Sequence, residues 1–239
     1  MIRAVVVSLE ATFWAGFAKP DFDLLAKPGV LAHKLFEKLS FRTVAGAMHL
    51  HPGDGALGDA YFSFPLPLIH AVGAIRLGGF DLNCKPRMNE TVAANEVAAT
   101  ALDILDAIRP NAKPTDYSEF RATLVYNCVL PMDVNAKDLL SKYVSAPKLT
   151  FGEYRGAGAA FYFRGGEHGH EHTTVTLDRT SLDNGLLVRV VASSDPRVLV
   201  SLESLKTEGP ERLADIFRQL SEVEGIHLEG LSPQEGAPK

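Results

Sequence analysis

Glu167-His168-Gly169-His170-Glu171-His172 concentrates three imidazoles and two carboxylates in six residues. Those are the ligand types that zinc, nickel and copper favour. His168, His170 and His172 alternate, so on an extended segment they share one face. A second alternating pair, His49-Leu50-His51, is followed by Asp54 and Asp59. If the two loops met, His49, His51, His168, His170 and His172 would supply ligands for zinc or another divalent transition metal. Glu167 or Glu171 would then act as general base toward a metal-bound water, and the activity would be hydrolytic. The opposing account is simpler: a glycine-rich hairpin tip needs polar residues whether or not it binds anything. The helical His-Glu-x-x-His motif of zinc hydrolases is absent. Gly-x-Ser-x-Gly, Gly-x-Gly-x-x-Gly and a Walker loop are likewise absent as strand–loop–helix signals.

A second kind of chemistry is contact. Phe13-Trp14-Ala15-Gly16-Phe17 places three aromatics in five residues at the end of a strand. Exposed, Phe13, Trp14 and Phe17 would anchor a partner, because Trp and Phe carry a large share of interface energy; buried, they cap the core. Tyr61-Phe62-Ser63-Phe64-Pro65-Leu66-Pro67 is the other contact segment, with Tyr61, Phe62 and Phe64 as its anchors. An apolar stretch of this kind is costly to leave in water. Asp103 and Asp106, three apart on a helix, read as a solvated face, and His33 and His70 as structural histidines.

The elements that must position these residues read as β-α-β-β-β-α, twice. In the second half, Glu119–Leu130 is a strand closed by Pro131, and Asp133–Val144 a short helix with Asp133 or Asn135 as N-cap. Strands follow at 151–163, 172–177 and 186–192, with Asp183-Asn184-Gly185 as a turn and helices over 197–206 and 211–223. In the first half the corresponding segments are strands at 2–13 and 41–51, a helix over 22–39 broken near Pro28-Gly29, and a strand at 80–84. A closing helix spans 91–108. Pro65 and Pro67 require an edge position or a kink within 61–77.

Short sequence matches recur in the same order. Ile2-Arg3-Ala4 returns as Phe120-Arg121-Ala122, Asp23–Lys27 as Asp138–Lys142, and Ala45-Gly46-Ala47 as Ala157-Gly158-Ala159. Pro86-Arg87-Met88 returns as Pro196-Arg197-Val198, and Asp103-Ile104-Leu105 as Asp215-Ile216-Phe217. The expected fold is therefore α+β: a tandem pseudo-repeat of a β-α-β-β-β-α unit, with largely antiparallel sheets and helices on one face. Residues 1–109 form the first repeat, 110–118 a linker, 119–228 the second repeat and 229–239 a disordered tail; the repeats pack as one domain about a pseudo-two-fold. This order resembles other duplicated sheet-and-helix saddles, such as the TATA-binding-protein fold, in topology alone. The chain lacks the basic concave surface of such a DNA binder, so the resemblance implies no function.

Composition narrows the function classes. The 239 residues are 46% hydrophobic and 22% charged with a net charge of −5, which argues against nucleic acid as a partner. No run of 18 apolar residues occurs, so no membrane is expected, and the Ala4–Val7 run is far shorter than a secretory signal core. Cys84 and Cys128 lie in strand-like segments and read as reduced, buried thiols of a cytoplasmic protein. The expectation is a non-enzymatic protein-interaction or assembly module with no cofactor, acting on a protein partner or on itself. The alternative is the metal-dependent hydrolytic protein.

Overall fold

In the computed structural model, residues 2–54, 57–85, 94–143, 158–165, 171–180, 184–194 and 225–229 are described. The longest strand, β1 (Ile2–Phe17), is followed by α1 (Phe22–Ala26) and α2 (Pro28–Leu39). Pro28 stands at the start of α2, where its missing N–H costs nothing, so the proline-glycine break separates two helices. Then come β2 (His49–His51), β3 (Tyr61–Leu66), β4 (Ala71–Arg76), β5 (Gly79–Cys84) and α3 (Ala94–Ile108). The chain continues through β6 (Tyr117–Val129), α4 (Ala136–Ser141), β7 (Ala159–Gly165), β8 (Glu171–Arg179), β9 (Gly185–Ser194) and β10 (Ile226–Glu229).

All ten strands join one sheet in the order β2-β3-β4-β5-β1-β6-β9-β8-β7, with β10 also paired to β1. Every ladder is antiparallel except β1–β10. Outward from β1 and β6 the two sides pair alike, as β1–β5–β4–β3 and as β6–β9–β8–β7.

Side-chain alternation divides the sheet into two faces. On β1 the odd positions Leu9, Ala11, Phe13, Ala15 and Phe17 are buried; on β6 the even positions Phe120, Leu124, Tyr126 and Cys128 are. Phe13 stacks on Phe120 at 5.9 Å and tilts against Phe80 at 6.5 Å. Leu31, Leu35 and Leu39 of α2, Ala101, Ile104, Leu105 and Ile108 of α3, and Leu139 and Leu140 of α4 belong to the same core. Asp103 and Asp106 tie α3 to the end of α2: Arg42 reaches Asp103 at 2.7 Å and Lys38 bonds Asp106. These carboxylates hold helices together.

Several sequence expectations need correction. Residues 41–51 are not one strand: Ser40–Arg42 and Ala45–Ala47 are 3-10 turns, and only His49–His51 is extended. Ala45–Ala47 therefore lies ahead of β2, whereas Gly158-Ala159 opens β7, so that match joins unlike elements. Ile2–Ala4 pairs with β10, while Phe120–Ala122 faces Phe13–Ala15. Glu229, expected to open a tail, closes β10. The helices expected over 197–206 and 211–223 lie outside the described residues.

Pro65 falls beyond the end of β2, on the open edge of β3, as its missing N–H requires. The Thr43 hydroxyl donates to the Pro65 carbonyl there at 2.8 Å, satisfying an edge acceptor that β2 does not reach. At the far side of the molecule Asn184, in the left-handed region (φ 54°), does similar work. Its amide nitrogen donates to the carbonyls of Leu130, Pro131 and Val134, and its Oδ1 accepts from the Ala136 N–H at the start of α4. One side chain thus joins the β8–β9 turn to the β6–α4 connection. Asn184→Asp, which turns an oxygen toward those carbonyls, should cost roughly 2–4 kcal/mol, since each unsatisfied buried group costs roughly 1–3 kcal/mol. Urea denaturation would read this loss; Asn184→Gly keeps the backbone conformation but should still lose at least half of it.

Candidate functional site

The face opposite the core carries the residues with functional potential, arranged by register into rows across the strands. One row runs His49–Ser63–Ala74–Asp81–Trp14–Arg121–Ser193–His172. Beside it runs His51–Tyr61–Arg76–Gly79–Gly16–Glu119.

The first half of the face is filled by stacked and charged side chains. His51 stacks on Tyr61 at 4.3 Å and its Nε2 lies 3.0 Å from the Ser63 hydroxyl. The Arg76 guanidinium sits 4.8 Å from the centre of the Tyr61 ring and bonds Asp81 at 3.2 Å. Trp14 occupies the middle of the sheet, its indole laid over Gly79. A Cβ at Gly79 would come within 2.5 Å of the indole edge and 2.6 Å of the Ala15 carbonyl. Glycine is needed here because the ring approaches the backbone itself.

Burial pushes the Asp81 carboxyl above its ordinary value; attraction to Arg76 and the bonds from Arg76 and Asn83 offset only part of that effect. Burial likewise drives Cys84 up to about 11 and Cys128 up to about 12. Both thiols are free and face the core, so neither is a nucleophile at neutral pH.

The contact segments divide between the two faces. Phe13, Phe17, Phe62 and Phe64 point into the core, so they are not interaction residues on the surface of this chain. Period-two alternation along β1 and β3 forces this, and leaves Trp14 and Tyr61 half-exposed on the open face. Among the metal candidates, His49 and His51 stand on the edge strand β2 and His172 in β8. His49 and His172 share a row, but seven strand spacings separate them, a path of roughly 34 Å at ~4.8 Å each. The strand order thus gives no support to a site shared by the two loops. Glu167, His168 and His170 lie outside the described residues, while Glu171 opens β8. Among the described residues no group of three or more His, Cys, Asp or Glu is placed to hold a metal ion. Gly53-Asp54-Gly55-Ala56-Leu57-Gly58 carries a Gly-x-Gly-x-x-Gly spacing, yet it links β2 to β3 rather than a strand to a helix.

Sequence reading missed the second half of the face. There Thr123, Val191, Thr174 and Tyr162 form one row, and Val125, Arg189, Thr176 and Ala160 the next. By register the open face carries Glu10, Asp81, Glu119, Asp178 and, opposite Val5, Glu229 against Arg3, Arg76, Lys85, Arg121, Arg189 and, opposite His172, Arg164, a near balance of charge. Most are paired within the face, Arg121 to both oxygens of Glu119 and Lys85 to Glu10 at 3.7 Å. No helix among the described residues is long and apolar enough to cross a membrane. No protein-family model matches the sequence, and no curated protein is significantly similar to it.

Two outcomes follow from these environments. Native protein at pH 8 should not react with a chromogenic disulfide reagent, and both thiols should react once urea unfolds it. The Asp81 carboxyl holds its proton more tightly folded than unfolded, so its charged form opposes folding. That penalty is absent below the unfolded value of 3.8 and complete once pH exceeds the raised folded value. Asp81→Asn should accordingly be at least as stable as wild type at pH 7 and lose that relative advantage near pH 3, as read from urea curves at each pH.

Proposed function

We propose that this chain is a non-enzymatic protein-interaction module, built on a duplicated α+β scaffold, that docks a protein partner or a second copy on the open face of its sheet. Duplication is supported by the matching outward order of strands on either side of β1 and β6. The observation that carries the functional reading is the state of the open face. Most charges of its first half and centre are neutralised in place, and its second half offers half-exposed Val125, Leu187 and Val191 with an 81% exposed Tyr162. Ion pairs that travel with their counter-charges can be covered without leaving a buried charge unpaired, the usual obstacle to covering a polar sheet. A near balance of charge supports a protein partner over nucleic acid, whose phosphates need a strongly basic face.

The reading requires no cofactor and no catalytic group. The strongest titratable cluster, Asp81 with Arg76, is committed to holding Tyr61 and the middle of the sheet. Free buried thiols agree with a cytoplasmic setting.

Native mass spectrometry of untagged protein from its own cells tests this. Partner mass or a doubled chain mass is expected, lost in Thr174→Lys, which plants an uncompensated charge opposite Val191 and Tyr162 on the open face, and kept in Lys34→Glu on exposed α2. A bare monomer, or partner mass indifferent to the open-face variant, refutes it. A bound metal lost on replacing His168, His170 and His172 would establish the metal-dependent alternative instead.

A further inference from the structure

We infer that the patch centred on Arg189 is a docking site for a protein segment that presents a carboxylate between short apolar side chains. The inference rests on the interaction reading above and names the chemistry of its partner.

Arg189 sits in β9 directly opposite Val125 of β6 and Thr176 of β8, with Leu187 and Val191 two residues away on the same face. Its immediate ring is thus aliphatic or hydroxyl-bearing. Among the described residues Arg189 is exposed and makes no hydrogen bond or ion pair. Arg76, Lys85 and Arg121, by contrast, each hold a carboxylate on this same face. The nearest open-face anion, Asp178, is diagonal to Arg189 in the ladder and accepts the Arg179 N–H at 2.7 Å.

An arginine in water needs no partner. Covered by an apolar surface it does, because a buried guanidinium without a counter-charge strongly opposes the contact. The ring around it favours covering, and the charge dictates what must come with the cover. A carboxylate fits best: the guanidinium fork takes both oxygens at once, and the surrounding aliphatic groups exclude the water that would weaken the pair. The size of the patch suits a short extended segment. From β6 to β7 it is three strand spacings, roughly 14 Å, and five residues of β9 add roughly 14 Å in the other direction. A polyanion would instead meet Glu10, Asp178 and Glu119 on the same face.

The test uses the full chain, labelled with nitrogen-15, and the acetylated, amidated pentapeptide Thr-Val-Glu-Val-Thr beside its glutamine twin. The glutamate peptide should shift the amides of Val125, Thr176 and 187–191 saturably and bind at least tenfold more tightly than the twin. Arg189→Met, an exposed change that keeps the aliphatic stem, should erase that difference, and Arg189→Lys should restore only part of it. Equal binding of the two peptides, shifts elsewhere, no binding at millimolar peptide, or an unchanged preference in Arg189→Met each overturns the proposal. So does a wild-type chain that already dimerises through this patch, since the occupant is then a second copy. If the peptides fail while the partner mass still disappears in Thr174→Lys, only this site is lost; if neither effect is seen, the interaction reading falls with it.

Discussion

The antiparallel pairing of β1 with β6 is the constraint on which the rest of the structure depends. It runs nearly the whole length of both strands, from Val5 opposite Val129 to Phe17 opposite Tyr117, and among the described residues it is the ladder that joins the two halves of the sheet. An irregularity near Val7 shifts the register by one residue, so the buried side changes from even positions at Ala4 to odd positions from Leu9 onward. Without that shift the central strand could not keep apolar residues beneath it at both ends, because a one-residue slip turns every side chain to the other face. On the core side Phe13 and Phe120 stack across this pair. On the other side Ser8 and Asn127 bond across it at 2.9 Å, and the rows of the open face pass through it unbroken.

The two faces solve opposite problems. The core face is apolar and receives the helices. The open face is polar and mixed, yet most of its charges are neutralised by neighbours on the same face, and its one large indole is laid flat over Gly79. Such a face costs little to hydrate.

How much of this was legible in the sequence depended on whether the signal was local. The alternation in β6 and β9, the Asn135 cap on α4 and the break at Pro28 are local, and the elements formed where those signals stand. Residues 41–47 misled because small apolar residues without a clear period suit either a strand or successive 3-10 turns. β10 was invisible because a four-residue parallel strand is defined by the partner it finds. The sequence left the aromatic corner open between core cap and partner anchor, because clustering in sequence does not say which side each ring takes; alternation sends Phe13 and Trp14 to opposite faces. Arg189 left no signal at all: β9 is apolar on both sides, and only the cross-strand register reveals that the residues directly opposite it, Val125 and Thr176, carry no counter-charge.

The claim that the open face is the working surface is tested most directly by site-specific photo-crosslinking in the cells that make the protein. A benzophenone amino acid would be placed in turn at Val125 on the open face and at Lys34 on exposed α2 of the helix layer. The account predicts discrete protein adducts from Val125 and none from Lys34. Adducts from Lys34 alone, or none from either position, would contradict it.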